Sequence, residues 1–456
     1  MKLNRRTVLA GLAASTALPD GGFATPSLKT ITAREGLIRL APPEYPETAI
    51  WGYDGGVPGP VIRQKQGERL HRRLINELPQ PTAIHWHGVR VENAMDGVPG
   101  MTMEAVPTGG QFDYDCRMPD AGTFWYHSHN QSAEQVARGL YGPLIVEEPR
   151  APDIDHDLIV MVDDWRMTEE AQIHESFGQL HDMSHAGRLG NYVHLEMIPK
   201  LERLQQHDRL RLRFINPSTD RILQLRLVGL EGWVMALDGM PLEAPRQLDS
   251  ILLAPAQRMD VFVDVTAEDG EALIVQQERD TGYVLAEYTV TGGAARNRRP
   301  APVPLPPNAV QLGVVDANTP THPMVMEGGA MGGLSQGIYK GQRMSMRELV
   351  DNGQVWTLNG VAGLPANPWL RLDLGETVRI PLVNETAFPH AMHLHGHHFR
   401  EVLADGTYGP LRDTILVDRG QSRDIAFVAD NPGKWLFHCH MLSHQTAGMK
   451  TWIQVA

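Results

Sequence analysis

Four His-x-His pairs stand in the chain: His85/His87, His127/His129, His393/His395 and His438/His440. Along an extended strand, residues i and i+2 share a face, so each pair offers two imidazoles to one side. Imidazole ligates copper, zinc, iron or nickel. One such pair is as readily a structural feature as a metal site; four of them form a ligand set. Cys439 lies between His438 and His440, so its sulfur points to the opposite face. His390, His444 and Met449 accompany it in sequence. Two His, one Cys and a weak axial Met make the trigonal set of electron-transfer copper sites. A thiolate on one face and imidazoles on the other, about 3.3 Å per residue apart, give a short covalent path between two metal centres.

These residues recur in an internal repeat. Gly67-Glu68, Asn76-Glu77 and His85-Trp86-His87-Gly88 return as Gly375-Glu376, Asn384-Glu385 and His393-Leu394-His395-Gly396, each offset by 308 residues. The segment Gly122–His129 returns as Gly433–His440, offset by 311. A weaker copy, offset by 140, runs from Asp208 through Asn216-Pro217 to Leu225-Arg226-Leu227, with both histidines replaced by leucine. Alternating apolar residues and turn signals over repeats of this length predict β-sandwich domains rather than a solenoid. Three are expected, over 25–149, 150–300 and 301–456, with the Pro-rich run Arg299–Pro307 as the last linker. The repeat also supplies an internal control: Thr82 stands where His390 stands, and Ser128 where Cys439 stands. The first domain therefore lacks the mononuclear set, but each outer domain offers four imidazoles to a cluster at their interface.

Composition narrows the setting. The 456 residues allow two to four domains with real cores, and 44 Gly with 33 Pro suit many short strands joined by turns. A net charge of −13 argues against nucleic acid or an anionic membrane as partner. Only two cysteines occur, far apart, so no disulfide framework is implied. Cys116, in an alternating apolar run, reads as a buried strand residue. Lys2, Arg5 and Arg6 precede a small, apolar run from Thr7 to Leu18. That run is too short to span a bilayer, and Arg5-Arg6 resembles a twin-arginine export signal, placed at 1–24. The mature protein is expected in the periplasm or otherwise outside the cytoplasm, as a monomer without a membrane anchor.

The four histidine motifs, Cys439 and Met449 resemble those of the multicopper oxidases, laccases and bacterial copper-tolerance oxidases among them. The likeness covers the first and third domains; the second agrees only in general character. It implies an all-β fold of three cupredoxin-like Greek-key sandwiches and four coppers per chain. His390, Cys439, His444 and Met449 then fall on the type 1 copper, and His85 and His393 on the type 2 copper. His87, His127, His129, His395, His438 and His440 fall on the type 3 pair. The implied reaction couples four one-electron oxidations of a small reductant, phenol-like or a metal ion such as copper(I), to reduction of O2 to water. Asp96, in Asp96-Gly97, matches the family's cluster aspartate, and proton delivery is assigned to it. Two positions depart from the pattern: Gln445 replaces a carboxylate common in relatives, and Met103 replaces a glutamine. A non-catalytic scaffold and a copper-sequestration protein are the alternatives, and neither needs the aligned ligands joined through Cys439.

Other residues invite a role. His397 and His398, beside the third motif, are expected to support rather than ligate. Met324, Met326, Met331, Met344 and Met346 offer soft ligands for copper(I), though core packing or a mobile loop explains them equally. His174, His181, His185 and His194 of the middle domain match no copper site and are expected to face solvent.

Overall fold

The computed structural model describes residues 28–268, 270–278, 281–294 and 297–456; the expected export signal lies outside them. Six sheets pair into three sandwiches. Two four-stranded sheets hold the strands between Lys29 and Glu147. Six- and five-stranded sheets hold those between His156 and Ala294. Nine- and five-stranded sheets hold those between Met324 and Val455. No helix of the described residues is long and apolar enough to cross a membrane.

Alternation builds each core. In Arg69–Asn76 every second residue is buried, Leu70 and Leu74 among them; Thr377–Asn384 does the same with Val378, Ile380 and Leu382. The middle sandwich departs from this rule. Its strand Arg209–Ile215 is buried on both faces, with the leucines inward and Arg209, Arg211 and Arg213 outward. The arginine stripe is neutralised by Asp264, Asp260 and Asp157, and it reaches Glu148 (2.7 Å) and Thr123 (2.9 Å) of the first sandwich. An alternating polar face here marks a domain junction rather than a solvent face.

The repeat is structural as well as chemical. Asn76, Asn216 and Asn384 are buried and do the same work at a strand end. Each side-chain oxygen accepts from the backbone N–H two residues on, at 3.0, 3.0 and 2.9 Å. Each amide donates to a nearby loop carbonyl and to a second carbonyl, that of Val106, Leu253 or Val417. This shared corner delivers the chain to His85 in the first sandwich, Leu225 in the second and His393 in the third. Leu225 is fully buried in the middle core, so the same position is used there for packing.

Candidate metal centre

The strand Ile84–His87 pairs antiparallel with Gly122–Ser128, placing His85 opposite His127. His390–Leu394 pairs with Gly433–Cys439, placing His393 opposite His438. His129, His395 and His440 each stand just beyond a strand end. Backbone pairing continues to all three: their N–H groups donate to Ala83 (3.2 Å), Leu436 (3.0 Å) and Ala391 (2.6 Å). The four pairs therefore converge from two sandwiches. His127 Nε2 comes within 3.3 Å of His440 Nε2, and the His85 and His395 rings stack at 4.0 Å.

The outer nitrogen of most of these rings is occupied by a hydrogen bond, which fixes the tautomer and leaves a lone pair facing inward. His85 Nδ1 donates to the Asp96 carbonyl at 2.8 Å, and His393 Nδ1 to the Asp413 carbonyl at 2.8 Å. His127 and His438 donate to the carbonyls of Ser128 and Cys439. His395 Nδ1 donates to Asp96 Oδ2 at 3.0 Å, and His87 Nε2 to Asp413 Oδ1 at 3.2 Å. Buried ring nitrogens left without a partner among the described residues include His85 Nε2, His87 Nδ1, His129 Nε2, His393 Nε2 and His440 Nδ1. Burial holds His87, His127, His129, His395, His438 and His440 well below the usual histidine range, with neighbouring imidazoles adding to the effect. Neutral, inward-facing, unpartnered imidazoles are costly without a cation and suited to one.

The second site lies on the other face of the same strand. His390 Nδ1 and His444 Nδ1 stand 3.1 Å apart, and Cys439 Sγ is 3.8 and 3.9 Å from them. His390 is turned by Nε2 donating to Thr386 Oγ1 at 2.8 Å, and His444 by Nε2 donating to the His185 carbonyl at 2.7 Å. Burial pushes His444 down to about 4 and the Cys439 thiol up to about 12. Met449 is fully buried and anchored by backbone bonds to His444 and Cys439. In the first sandwich the matching space is filled by hydroxyls and an amide: Thr82 and Ser128 both donate to Gln135 Oε1, at 2.8 and 2.5 Å. The donor sets at both sites fit copper.

Two residues that sequence reasoning missed complete the cluster's surroundings. Asp413 is buried and touches His87, His393 and, at 3.7 Å, His398. Arg258 of the middle sandwich, fully buried, grips Asp413 through both nitrogens, at 2.6 and 3.0 Å, and donates to the Thr123 carbonyl of the first. No motif spacing flags either; Asp413 was findable only as the residue before the strand Thr414–Val417 that pairs with His390–His393. The pair also explains Gly88, whose φ is +81°: a Cβ there would lie 2.3 Å from Arg258 Nη2 and 2.4 Å from Asp413 Oδ2. Gly88→Ala is expected to destabilise the protein by about 2 kcal/mol or more, from positive φ and overpacking together. A lowered thermal midpoint checks this.

The remaining expectations divide. His397 supports the motif, its Nδ1 donating to the His395 carbonyl, and both His397 and His398 are buried. Cys116 is fully buried and unpaired. Met324 and Met326 are buried core residues of one strand, because the period-2 pattern turns both inward, and only Met331 of that run is strongly exposed, at 81 %. His174 and His181 do face solvent, but His185 is half-buried and covers His444. That departure arises because a single helical turn, Leu180–Ser184, docks on the helix Leu442–Thr446 of the third sandwich.

Paired sandwiches with buried imidazoles between them and a cysteine sulfur on one shared strand define a copper oxidase of cupredoxin-like build. Family models described as multicopper oxidase match residues 37–151, 195–292 and 339–456. The chain is 30 % identical to the multicopper oxidase MmcO of Mycobacterium tuberculosis, over 96 % of this chain and 88 % of that one. Among solved structures it resembles Lac15 from a marine microbial metagenome, at 45 % identity and TM-score 0.77, covering 94 % of this chain and 100 % of that one. It also resembles a multicopper oxidase from Pseudomonas thermotolerans, at 30 % identity and TM-score 0.79, covering 94 % and 99 %. The chain belongs to the multicopper oxidase family. It is a copper-dependent oxidase that passes electrons from a reductant to O2, and the scaffold and sequestration alternatives are not favoured.

Proposed function

We propose that the chain carries four coppers: type 1 on His390, Cys439, His444 and Met449, type 2 on His85 and His393, and a type 3 pair on the other six histidines. The observation that carries this reading is Cys439. Its sulfur lies 3.8 and 3.9 Å from the His390 and His444 nitrogens, while His438, next to it, lies 3.1 Å from His395 on the cluster side. Bound copper supplies one-electron chemistry between cuprous and cupric states, four such steps matching reduction of one O2 to two waters.

The protein's own groups do the rest. Strand alternation holds the two sites apart on one covalent path through Cys439. Carbonyl and carboxylate partners keep the inward nitrogens unprotonated. Asp96 binds His85 through its carbonyl and His395 through Oδ2, from two different sandwiches, and its Oδ1, 3.3 Å from His85 Nδ1, makes no hydrogen bond among the described residues. That placement supports a role in delivering protons to oxygen at the cluster. The three sandwiches are read as domains 25–149, 150–300 and 301–456. The basic and apolar run from Lys2 to Leu18 supports export by the twin-arginine route and action outside the cytoplasm.

Metal analysis with absorption spectroscopy tests the assignment. About four coppers per chain and an intense thiolate-to-copper band are expected; one copper or none, or no blue colour, would sink it.

A further inference from the structure

The outer nitrogen of His444 meets no solvent. It is held by the His185 carbonyl, and His390, Cys439, His444 and Met449 are all fully buried. The covering segment belongs to the middle sandwich, which supplies none of the proposed ligands. Three more hydrogen bonds fasten it to the third sandwich. Trp356 Nε1 donates to the Met183 carbonyl (2.6 Å), the Ala330 N–H to the Ser184 carbonyl (2.7 Å) and the Arg188 N–H to Ser443 Oγ (3.2 Å). A reductant therefore meets this segment before it meets any copper ligand.

We infer that planar aromatic donors of the phenol class dock on the ring pair His181/His185, and that their electrons enter through the His185 peptide rather than by contact with His444. The two imidazoles stack at 4.1 Å and 12°, the inner ring meets Phe388 edge-on at 5.6 Å, and the outer ring is 78 % exposed. Exposed Leu180 adjoins the pair, and exposed Met331 follows the Ala330–Ser184 hydrogen bond. A flat ring face open to solvent, with apolar neighbours, suits a flat partner. The same geometry disfavours a metal ion, because stacked rings keep their in-plane lone pairs in separate, nearly parallel planes that do not meet at one cation. His185 Nδ1 is, besides, engaged by the His181 carbonyl at 2.9 Å.

Each docked phenol loses one electron and its hydroxyl proton and leaves as a phenoxyl radical. The proton goes to water. A copper held by His390, Cys439, His444 and Met449 would take the electron across the His185–His444 hydrogen bond, and four such transfers match one O2. The inference rests on the assignment of His390, Cys439, His444 and Met449 to copper.

The test uses full-length, copper-loaded protein, with steady-state kinetics and anaerobic bleaching of the blue band. Donors are 2,6-dimethoxyphenol, hexacyanoferrate(II) and copper(I). His181→Ala should raise KM for the phenol about 3- to 10-fold, the worth of one stacked ring. Its kcat, its blue spectrum and its rate with hexacyanoferrate(II) should not move, and His181→Phe should restore the phenol KM. An unchanged phenol KM in His181→Ala, an equal loss with hexacyanoferrate(II), or a loss confined to copper(I) would overturn the inference. Lack of a blue band in the unsubstituted protein would instead remove the copper assignment beneath it.

Discussion

Cys439→Ser is expected to abolish the blue absorption and to drop oxidation of every reductant to the uncatalysed background, while about three coppers stay bound. The serine oxygen is a hard ligand and lacks the polarisable sulfur that binds cuprous ion well. The cluster side of the strand is untouched, since His438 and His440 keep their carbonyl and ring partners. The first sandwich shows what the substitution creates, because Ser128 and Thr82 already occupy the matching positions there and bind Gln135 instead. Copper content, absorption and oxygen uptake on the same sample check the result; loss of all copper would mean that the two sites are not separable. A related effect follows from the thiol itself. Burial pushes Cys439 up to about 12, so without metal it stays protonated at neutral pH. Loading the mononuclear site must then release that proton, and affinity there should fall as pH falls.

Most of the candidate metal centre was legible because strand periodicity is local. Once Ile84–His87 and Gly433–Cys439 are strands, the directions of His85, His87, His438, Cys439 and His440 follow from chain geometry alone. The repeat added the rest of the frame, since Asn76, Asn216 and Asn384 repeat one corner whether or not histidines follow it. What stayed hidden is what depends on how the sandwiches meet. Arg258, Asp413 and His185 act across sandwich boundaries, and no spacing within one segment encodes such a contact. The strand Arg209–Ile215 makes the same point: nothing in its alternating charges names a partner, and the arginines are buried against aspartates and the first sandwich. For Met324 and Met326 soft ligation and core packing were equally open from sequence, and their burial on one strand gives core packing.

Arg258→Met should be the most destabilising single change near the cluster, costing about 3 kcal/mol or more. Methionine keeps most of the volume, so the loss is that of the ion pair. Removing one partner of a buried pair leaves the other as an uncompensated charge, which typically costs about 3–5 kcal/mol. Among the described residues the Asp413 carboxylate would then keep hydrogen bonds to His87 and the Thr414 hydroxyl, with His393 and His398 at 3.5 and 3.7 Å. Burial works to raise the Asp413 pKa, but the Arg258 charge, helped by His87 and His393, outweighs it and holds the carboxyl well below the usual range. A carboxylate depressed in the folded state adds stability that is complete above the unfolded value, about pH 4, and is lost as pH falls through the folded value. Without Arg258, burial raises the Asp413 pKa, so the gap between native protein and variant should narrow as pH falls and the variant's carboxylate takes up its proton first. Adding Asp413→Asn to Arg258→Met should recover part of the loss, because the stranded charge is then gone; the coupling should be at least about 1 kcal/mol. Thermal midpoints of the four proteins in the cycle measure it, and the EPR signal of the copper proposed on His85 and His393 shows whether His393 has shifted. If the single and double variants melt together, the middle sandwich has no electrostatic hold on the cluster, and Arg258 merely fills space between the domains.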